Sequence, residues 1–284
     1  MSVSAILTSA LILGGVGLVF GALIALANRR FKVWEDPRID GVSDLLPGTN
    51  CGACGMAGCR AFAEGLVAGQ VQPASCTNMG ADDIEGVASY LGVDAGEAVK
   101  RVARLLCAGD CEVAGQNAEY LGLETCGAAA AVAGGGKGCS WGCLGLADCE
   151  VSCDFDAIVM SVANLPVVDP VKCTACGDCV EACPKDLFEL MPMERKLLIQ
   201  CKNLIEGDEA EQLCRVACTG CGKCALDAAP GLIEIRNGLA VIDYTKNDQA
   251  GPEALVRCPT GAIAWVEGAQ FADGRRVPAE LATE

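Results

Sequence analysis

The hydrophobic pattern begins with an uncharged apolar run at the N-terminus. No Asp, Glu, Lys or Arg occurs in residues 1–28, and the basic residues Arg29, Arg30 and Lys32 follow directly. About 20 apolar residues suffice for a helix to cross the hydrocarbon core of a bilayer. The pattern therefore predicts a transmembrane anchor over residues 1–28. By the positive-inside rule, the chain sits in the inner (cytoplasmic) membrane with its N-terminus outside and its remaining domains in the cytoplasm.

Two alternatives to an anchor stay open for this run. One is a cleaved signal peptide, because Ala25-Leu26-Ala27 resembles a cleavage site. The other is a buried helix of a soluble protein. The signal peptide is disfavoured because no Lys or Arg precedes the apolar run and because the run exceeds a typical signal core.

Beyond residue 28 the chain alternates polar segments with short apolar ones. Residues 29–46 are polar and contain Pro, which predicts a linker, and residues 60–68 have the pattern of a short helix. Short strands are predicted over residues 157–160, 167–168, 232–236 and 239–243. Asn237-Gly238 favours a type I′ turn, so the last two strands should form a hairpin. Together these elements predict an α+β protein.

Composition excludes several kinds of site. Of 284 residues, 21 are Cys and none is His. Without His there can be no Ser-His-Asp or Cys-His catalytic site, no zinc finger that needs His and no Rieske centre. The net charge of −16 argues against nucleic acid, whose binding depends on clustered Lys and Arg. Many cysteines lie two or three residues apart and their number is odd, which favours metal ligation over disulfides.

The first cysteine motif has the spacing C-x2-C-x4-C-x16-C and comprises Cys51, Cys54, Cys59 and Cys76. Glycines among the first three let the loop fold tightly and direct backbone N–H groups at a negatively charged centre. Four thiolates suit a [4Fe-4S] cluster, and structural zinc is the alternative. The motif predicts a [4Fe-4S] domain over residues 47–95.

The most specific motif is the run C-x2-C-x2-C-x3-C-P of bacterial ferredoxins, formed by Cys173, Cys176, Cys179 and Cys183 with Pro184. The fourth Cys of such a run binds the other cluster of a two-cluster domain, so a second half-motif is expected. A second half-motif, with altered spacing, is present at Cys139, Cys143, Cys149 and Cys153. The expected exchange gives one cluster Cys139, Cys143, Cys149 and Cys183. It gives the other Cys153, Cys173, Cys176 and Cys179. A two-cluster ferredoxin domain is predicted over residues 136–195.

A second ferredoxin-like domain is predicted over residues 196–268, followed by a tail at 269–284. Its intact ligand set is Cys218, Cys221, Cys224 and Cys258. Ferredoxin spacing places the other set at Ala228, Asp248, Gly251 and Ala254, where no thiolate is present. This domain is therefore expected to hold one cluster and to leave the other site vacant.

The remaining cysteines are Cys107, Cys111, Cys126, Cys201 and Cys214. Four of them could hold a fifth cluster, and the favoured set is Cys107, Cys126, Cys201 and Cys214. Zinc and buried free thiols are the alternatives. The segment 96–135, which contains three of them, is predicted to connect the first cluster domain with the ferredoxin domain.

The chain shows no nicotinamide, flavin or nucleotide site and no catalytic residue. No G-x-G-x-x-G follows a predicted strand, and GGGKG at residues 134–138 does not match the Walker A pattern. Because this glycine run directly precedes Cys139, we interpret it as part of a cluster-binding loop.

The order of these motifs resembles the B subunit of the Rnf complexes, and GGGKGCSWGCLGLADCEVSCDFDAI is similar to the variant half-motif of that family. The resemblance covers residues 1–268. It implies an iron–sulfur subunit of an ion-translocating ferredoxin:NAD+ oxidoreductase. Such a subunit exchanges electrons with soluble ferredoxin and relays them to membrane and peripheral subunits, which carry the flavin and NAD chemistry. The vacant site departs from longer members of the family, which have two complete two-cluster units.

Two further expectations accompany this resemblance. Because the chain and a soluble ferredoxin are both acidic, docking would need local basic residues, and Lys172 and Lys185 beside the ferredoxin motif are candidates. The alternatives in function are an iron–sulfur subunit of another membrane reductase or hydrogenase, and a zinc-binding assembly scaffold.

Overall fold

The helices and strands follow one another along the chain in a computed structural model that describes residues 3–31, 35–97 and 99–271. The helices are α1 Val3–Phe31, α2 Pro37–Leu45, α3 Cys59–Val67, α4 Ala81–Leu91, α5 Cys126–Ala131, α6 Asp148–Val151, α7 Asp178–Ala182, α8 Gly207–Leu213 and α9 Lys223–Asp227. The strands are β1 Arg101–Leu105, β2 Ile158–Met160, β3 Pro166–Val168, β4 Phe188–Pro192, β5 Leu197–Ile199, β6 Ile233–Arg236, β7 Leu239–Ile242 and β8 Ile263–Trp265. Short 3₁₀-helices cover Pro73–Ser75, Ala133–Gly136, Tyr244–Gln249 and Pro252–Leu255.

Helix α1 contains the apolar N-terminal run. Residues Leu11–Phe31 are long and apolar enough to cross a membrane, and none of this stretch is buried within the chain. Arg29 and Arg30 lie in its last turn. Length and composition alone would also fit a signal sequence. Lys32, the third basic residue of the prediction, lies outside the described residues.

Residues 29–46, predicted to be a linker, instead contain helix α2. Asp36 caps this helix by accepting the N–H of Arg38 at 2.9 Å, and Pro37 occupies the first helical position. Both are helix-start signals, so the sequence carried the information and the polar composition obscured it. Val42 of α2 is fully buried in a core with Phe62 and Val87, residues from α3 and α4. The helix is therefore an integral part of the first cluster domain.

The rest of the chain contains two units built on the same plan. In the first unit, β1 pairs antiparallel with β4, and the inner strands β2 and β3 pair with each other. In the second, β5 pairs with β8 and β6 with β7. Each unit thus closes by pairing its first strand with its last around a hairpin. This plan confirms the predicted ferredoxin-like domains with short β-hairpins.

Strand β1 corrects the interpretation of residues 96–135 as a connecting segment. Its register runs from Arg101 opposite Pro192 to Leu105 opposite Phe188. The partner strand lies more than eighty residues away, so local pattern could not reveal the pairing. The predicted tail also contributes, because Gln270 accepts the N–H of Leu105 at 2.8 Å and donates to its carbonyl at 2.9 Å.

The local predictions for helix 60–68 and for the strands are confirmed, with small shifts of their ends. The hairpin of β6 and β7 pairs Arg236 with Leu239, leaving a two-residue loop. Asn237 and Gly238 have φ values of 49° and 77°. Positive φ at both central positions is the signature of the type I′ turn.

Candidate metal centres

The cysteines gather into five groups of four, and Cys111 alone belongs to none. All 21 are free thiols, and none forms a disulfide. We define set 1 as Cys51, Cys54, Cys59 and Cys76. Set 2 is Cys153, Cys173, Cys176 and Cys179. Set 3 is Cys126, Cys143, Cys149 and Cys183. Set 4 is Cys107, Cys139, Cys201 and Cys214. Set 5 is Cys218, Cys221, Cys224 and Cys258.

Set 1 is held by a glycine-rich loop that runs into α3. Burial raises the pKa of Cys76, and the nearby Cys54, Cys51 and Cys59 raise it further, which places the four sulfurs in one neighbourhood. Asn50 fixes the loop, since its Oδ1 accepts the N–H of Cys59 at 2.8 Å. Gly58 has φ 144°, and a Cβ there would lie 2.8 Å from Asn50 Oδ1. Sequence reasoning missed the role of Asn50.

The thiols of set 2 and those of set 5, which the sequence predicts to be ligand sets, each line one cavity. The four thiols of set 2 line one cavity, together with Ala103 of β1 and Leu190 of β4. Those of set 5 line a second cavity between the hairpin and the loop that follows Cys258. Burial acts to raise the pKa of Cys258, but the backbone N–H groups of Ile263 and Thr260 outweigh it, so the pKa falls below its usual value.

Set 4 corrects the predicted grouping of Cys139. Cys139 lines one cavity with Cys107, Cys201 and Cys214, at the junction of the two units. Cys107 and Cys201 each follow the first strand of their own unit by two residues. The backbone joins the units here as well, because Ala108 N donates to the carbonyl of Gln200 at 3.0 Å.

Cys126 takes the place in set 3 that was predicted for Cys139. Burial raises the pKa of Cys149 above the usual range, and the nearby Cys143, Cys126, Cys183 and Cys179 raise it further. Cys183 also raises the pKa of Cys126, and Cys126 that of Cys143, so Cys126 lies with this set. Helix α5 presents Cys126 at its first position. The helix is tied to α6 by Gly127 N, which donates to Asp148 Oδ2 at 2.9 Å. Spacing along the chain could not separate these two cysteines, because both lie outside the regular ferredoxin run.

The thiols are surrounded by backbone N–H donors, which suits iron–sulfur clusters. Cys143 N donates to Cys107 Sγ at 3.5 Å, Leu187 N to Cys183 Sγ at 3.5 Å, and Asn203 N to Cys201 Sγ at 3.4 Å. Such donors stabilise negative charge on sulfur. Four thiols around one cavity and no His nearby match the all-thiolate ligation of a [4Fe-4S] cluster.

Zinc bound by four thiolates holds each sulfur at about 2.3 Å, so its ligands must converge closely. Within residues 3–31, 35–97 and 99–271, no group of three or more Cys, Asp or Glu side chains is arranged to hold a single metal ion.

Comparisons with known proteins agree with this donor chemistry. A family model described as "Putative Fe-S cluster" matches residues 46–77, and one described as "4Fe-4S binding domain" matches residues 165–188. These matches cover set 1 and the ferredoxin run. The chain is 44% identical to the B subunit of the Na(+)-translocating ferredoxin:NAD(+) oxidoreductase complex of Acetobacterium woodii, over 92% of this chain and 78% of that protein.

Two further relatives match over most of both chains. The B subunit of the proton-translocating ferredoxin:NAD(+) oxidoreductase complex of Clostridium ljungdahlii is 38% identical over 87% of this chain and 88% of that one. The B subunit of the ion-translocating oxidoreductase complex of Methanosarcina acetivorans is 34% identical over 92% and 98%. The chain belongs to the family of Rnf B subunits. It is an iron–sulfur electron-transfer subunit of a membrane-associated oxidoreductase complex, and its partners include the other subunits of that complex.

Apolar packing surrounds part of the second site that ferredoxin spacing predicts to be vacant. Ala254 is 1% exposed in a core with Leu232 and Ala262, whereas Asp248 lies on the surface. Ala228 packs against the same core as Ala254, so Asp248 is separated from at least these two positions. Arg257 makes a bidentate ion pair with Asp227 and joins the segment before Cys258 to helix α9.

Cys111 is the one cysteine outside the five sets. Its side chain is exposed, and its backbone N–H donates to the carbonyl of Ala163 at 3.1 Å. The sequence predicts that a fifth site would use four of the five remaining cysteines and leave one outside every set. In the structure, Cys111 is the cysteine outside the sets. All five sets lie within residues 1–268, the part of the chain that resembles the Rnf B subunits.

Proposed function

We propose that the chain holds five [4Fe-4S] clusters, one in each set, and carries electrons between soluble ferredoxin and the membrane subunits of its complex. The observation that carries the proposal is an unbroken series of contacts from set 1 to set 5. A bound cluster supplies a one-electron redox couple and needs no proton or bond change. The chain's own residues supply thiolates, N–H donors and burial, which tune the potential of each couple.

The first contact joins set 1 to set 2. Thr77 directly follows Cys76, and its hydroxyl donates to the carbonyl of Thr174 at 2.5 Å. Thr174 directly follows Cys173 of set 2. A single hydrogen bond thus brings together two cluster-binding loops that are almost a hundred residues apart in sequence.

The next two contacts lead from set 2 through set 3 to set 4. Cys149 and Cys179, which belong to sets 3 and 2, lie in one buried core. Cys183 closes the ferredoxin run whose first three cysteines belong to set 2, yet it serves set 3. From set 3, Cys143 donates its backbone N–H to Cys107 of set 4.

The last contact joins set 4 to set 5 across the second unit. Burial raises the pKa of Cys201 to about 12, and the backbone N–H groups of Cys218 and Asn203, both bonded to its sulfur, oppose this increase. Cys201 also packs against the core that contains Cys218 and Cys224. Set 5 therefore terminates the series.

The two ends of the series suit different partners. Set 1 is nearest in sequence to the membrane helix α1, which favours electron exchange with membrane subunits at this end. Set 5 includes Cys221, whose side chain is exposed, and we propose this end for exchange with soluble ferredoxin. The names of the relatives from Acetobacterium woodii and Clostridium ljungdahlii support ferredoxin as the partner. We also propose that α1 crosses the inner membrane with its N-terminus outside, because Arg29 and Arg30 end the helix.

The basic docking candidates Lys172 and Lys185 lie away from set 5 in sequence. Lys172 is exposed, and Lys185 donates its ammonium to the carbonyl of Ser140 at 3.0 Å. Both stay predictions for a second docking position beside sets 2 and 3.

The proposal is tested by anaerobic purification of the full chain from membranes, followed by iron, sulfide and zinc analysis. We expect about twenty iron and about twenty sulfide per chain, four of each for every cluster. Stoichiometric zinc without visible absorbance would instead support the assembly scaffold. Addition of pre-reduced ferredoxin should then bleach the visible absorbance. Bleaching by dithionite but not by ferredoxin would contradict ferredoxin as the partner while retaining the clusters.

A further inference from the structure

Lys137 lies between the cluster-binding loops of two sets. Its ammonium donates to the carbonyl of Gly109 at 2.7 Å and to the carbonyl of Cys143 at 2.6 Å. Cys143 is a ligand of set 3, whereas Gly109 lies two residues after Cys107 of set 4. The side chain of Lys137 also lines the cavity of set 4.

The loop that carries Lys137 is built to direct this side chain inward. Gly134, Gly135 and Gly136 have φ values of 70°, 64° and 77°, a region that glycine adopts without strain. A Cβ on Gly136 would overlap the carbonyl oxygen of Ala118, so the chain packs too closely there for another residue. The glycine run before Lys137 therefore has a defined structural purpose.

Space for the lysine is provided from the opposite side as well. A Cβ on Gly142 would lie 3.0 Å from Lys137 Cε, so glycine at this position leaves room for the lysine stem. Gly142 precedes Cys143, the residue whose carbonyl accepts from Lys137. The half-buried ammonium is thus fixed by two carbonyl acceptors, and its aliphatic stem fits beside Gly142.

The acceptors of Lys137 are neutral carbonyl oxygens. Carbonyl acceptors hold the ammonium in place without neutralising its charge. Other charged groups occur nearby: Lys202 also lines the set 4 cavity, and the buried Asp110 accepts the N–H groups of Glu112 and Val113 at 2.9 Å. The charge of Lys137 differs from these because it is anchored simultaneously to the loops of both sets.

The charge of Lys137 lies beside cysteines of both sets. Its side chain lines one cavity with Cys139 and Cys214 of set 4, and its ammonium donates to the backbone carbonyl of Cys143 of set 3. A positive charge held at this position favours additional negative charge on a cluster bound at either site.

We propose that Lys137 raises the reduction potentials of the clusters in sets 3 and 4 together. Its single positive charge would stabilise the reduced form of both clusters at the middle of the relay. Reduction adds one electron to a cluster and breaks no bond, so it increases the net negative charge of the site. A fixed positive charge in a partly buried environment stabilises the reduced form. The inference rests on the proposed occupancy of sets 3 and 4 by clusters.

The test compares Lys137→Met, Lys137→Gln and Lys137→Arg in the anaerobically purified full chain. Iron content is measured first, and each cluster is then followed by redox titration with detection by electron paramagnetic resonance. At the wild-type midpoint, the reduced-to-oxidised ratio of two clusters should fall about tenfold in Met and Gln variants, a shift of about 59 mV for a one-electron couple. The other three clusters should keep their midpoints. In Lys137→Arg, which retains the positive charge, the midpoints of the two affected clusters should stay close to the wild-type values.

The matched control is Lys246→Met. Lys246 also donates its ammonium to a backbone carbonyl, that of Pro230 at 3.2 Å, but it lines none of the cysteine cavities described above. This variant should leave all midpoints unchanged. A full iron content with unchanged midpoints in both neutral Lys137 variants would overturn the proposal, as would an equal shift in Lys137→Arg.

Failure of the underlying function is distinguishable from failure of this inference. Wild-type protein that lacks iron at sets 3 and 4 would refute the proposed relay itself. Loss of iron in both neutral variants, with iron retained in wild type, would assign Lys137 to cluster assembly and overturn the tuning role.

Discussion

The backbone N–H of Cys143 donates to the sulfur of Cys107 at 3.5 Å, and this bond connects sets 3 and 4, whose members differ from those that sequence spacing predicts. Cys107 belongs with Cys139, Cys201 and Cys214, whereas Cys143 belongs with Cys126, Cys149 and Cys183. The exchange of Cys126 and Cys139 between these sets makes the first prediction.

Paired substitutions distinguish the two groupings. We expect Cys126→Ala with Cys143→Ala to remove one cluster, about four iron, because both residues serve set 3. Cys139→Ala with Cys143→Ala should remove two clusters, about eight iron, because the residues serve different sets. Iron analysis and paramagnetic resonance of the reduced protein measure the losses. The grouping based on sequence spacing requires the opposite result for these pairs, and Cys111→Ala, which removes an exposed thiol outside the sets, should lose no iron.

The second prediction concerns the contact of Thr77 with Thr174. Replacing Thr77 with Val removes a hydrogen bond of about 1 kcal/mol, so the population with both loops docked should fall about fivefold. Iron content should be retained, but the set 1 cluster should be reduced more slowly when limiting reduced ferredoxin is added. Rapid freezing with paramagnetic resonance follows this step. Thr77→Ser keeps the hydroxyl and should behave as wild type; equal rates in Thr77→Val would argue against this route.

A third prediction addresses the vacant site of the second unit. Introducing Cys at Ala228, Asp248, Gly251 and Ala254 together should not add a sixth cluster. Ala254 is buried among apolar side chains while Asp248 is on the surface, so a thiol at Asp248 would lie apart from one at Ala254. Iron and sulfide analysis should give the wild-type content. Four additional iron atoms per chain would show instead that the site reopens when thiolates are restored.

The fourth prediction tests the orientation of α1. Changing Arg29, Arg30 and Lys32 to Glu should reduce the fraction of chains with the N-terminus outside, since basic residues beside a span favour the cytoplasmic side. Protease protection of an N-terminal tag in intact cells measures this fraction. As a control with the same change in charge, Glu replaces Arg236, Lys246 and Arg257, which lie far from α1 in sequence. An unaltered orientation in the first variant would indicate that partner subunits determine the topology.

Local motifs determined most of the chemistry. The sequence alone predicts the membrane helix, the ligands of sets 1, 2 and 5, the vacant site and the hairpin at Asn237-Gly238. Each of these depends on residues close together in the chain, where loop spacing, turn preference and hydrophobic run length act directly. The resemblance to the family rested on the same cysteine spacings.

Only the tertiary structure decided how the two units meet and which cysteines share a site between them. Strand β1 pairs with β4 across more than eighty residues, and this pairing brings Cys107 to the junction with Cys201. Ligands of set 4 come from four separate segments, so no spacing rule relates them. The sequence therefore determined that cysteine sulfur is the metal-binding group and where its local motifs lie, whereas long-range strand pairing determined which thiols and which lysine lie together.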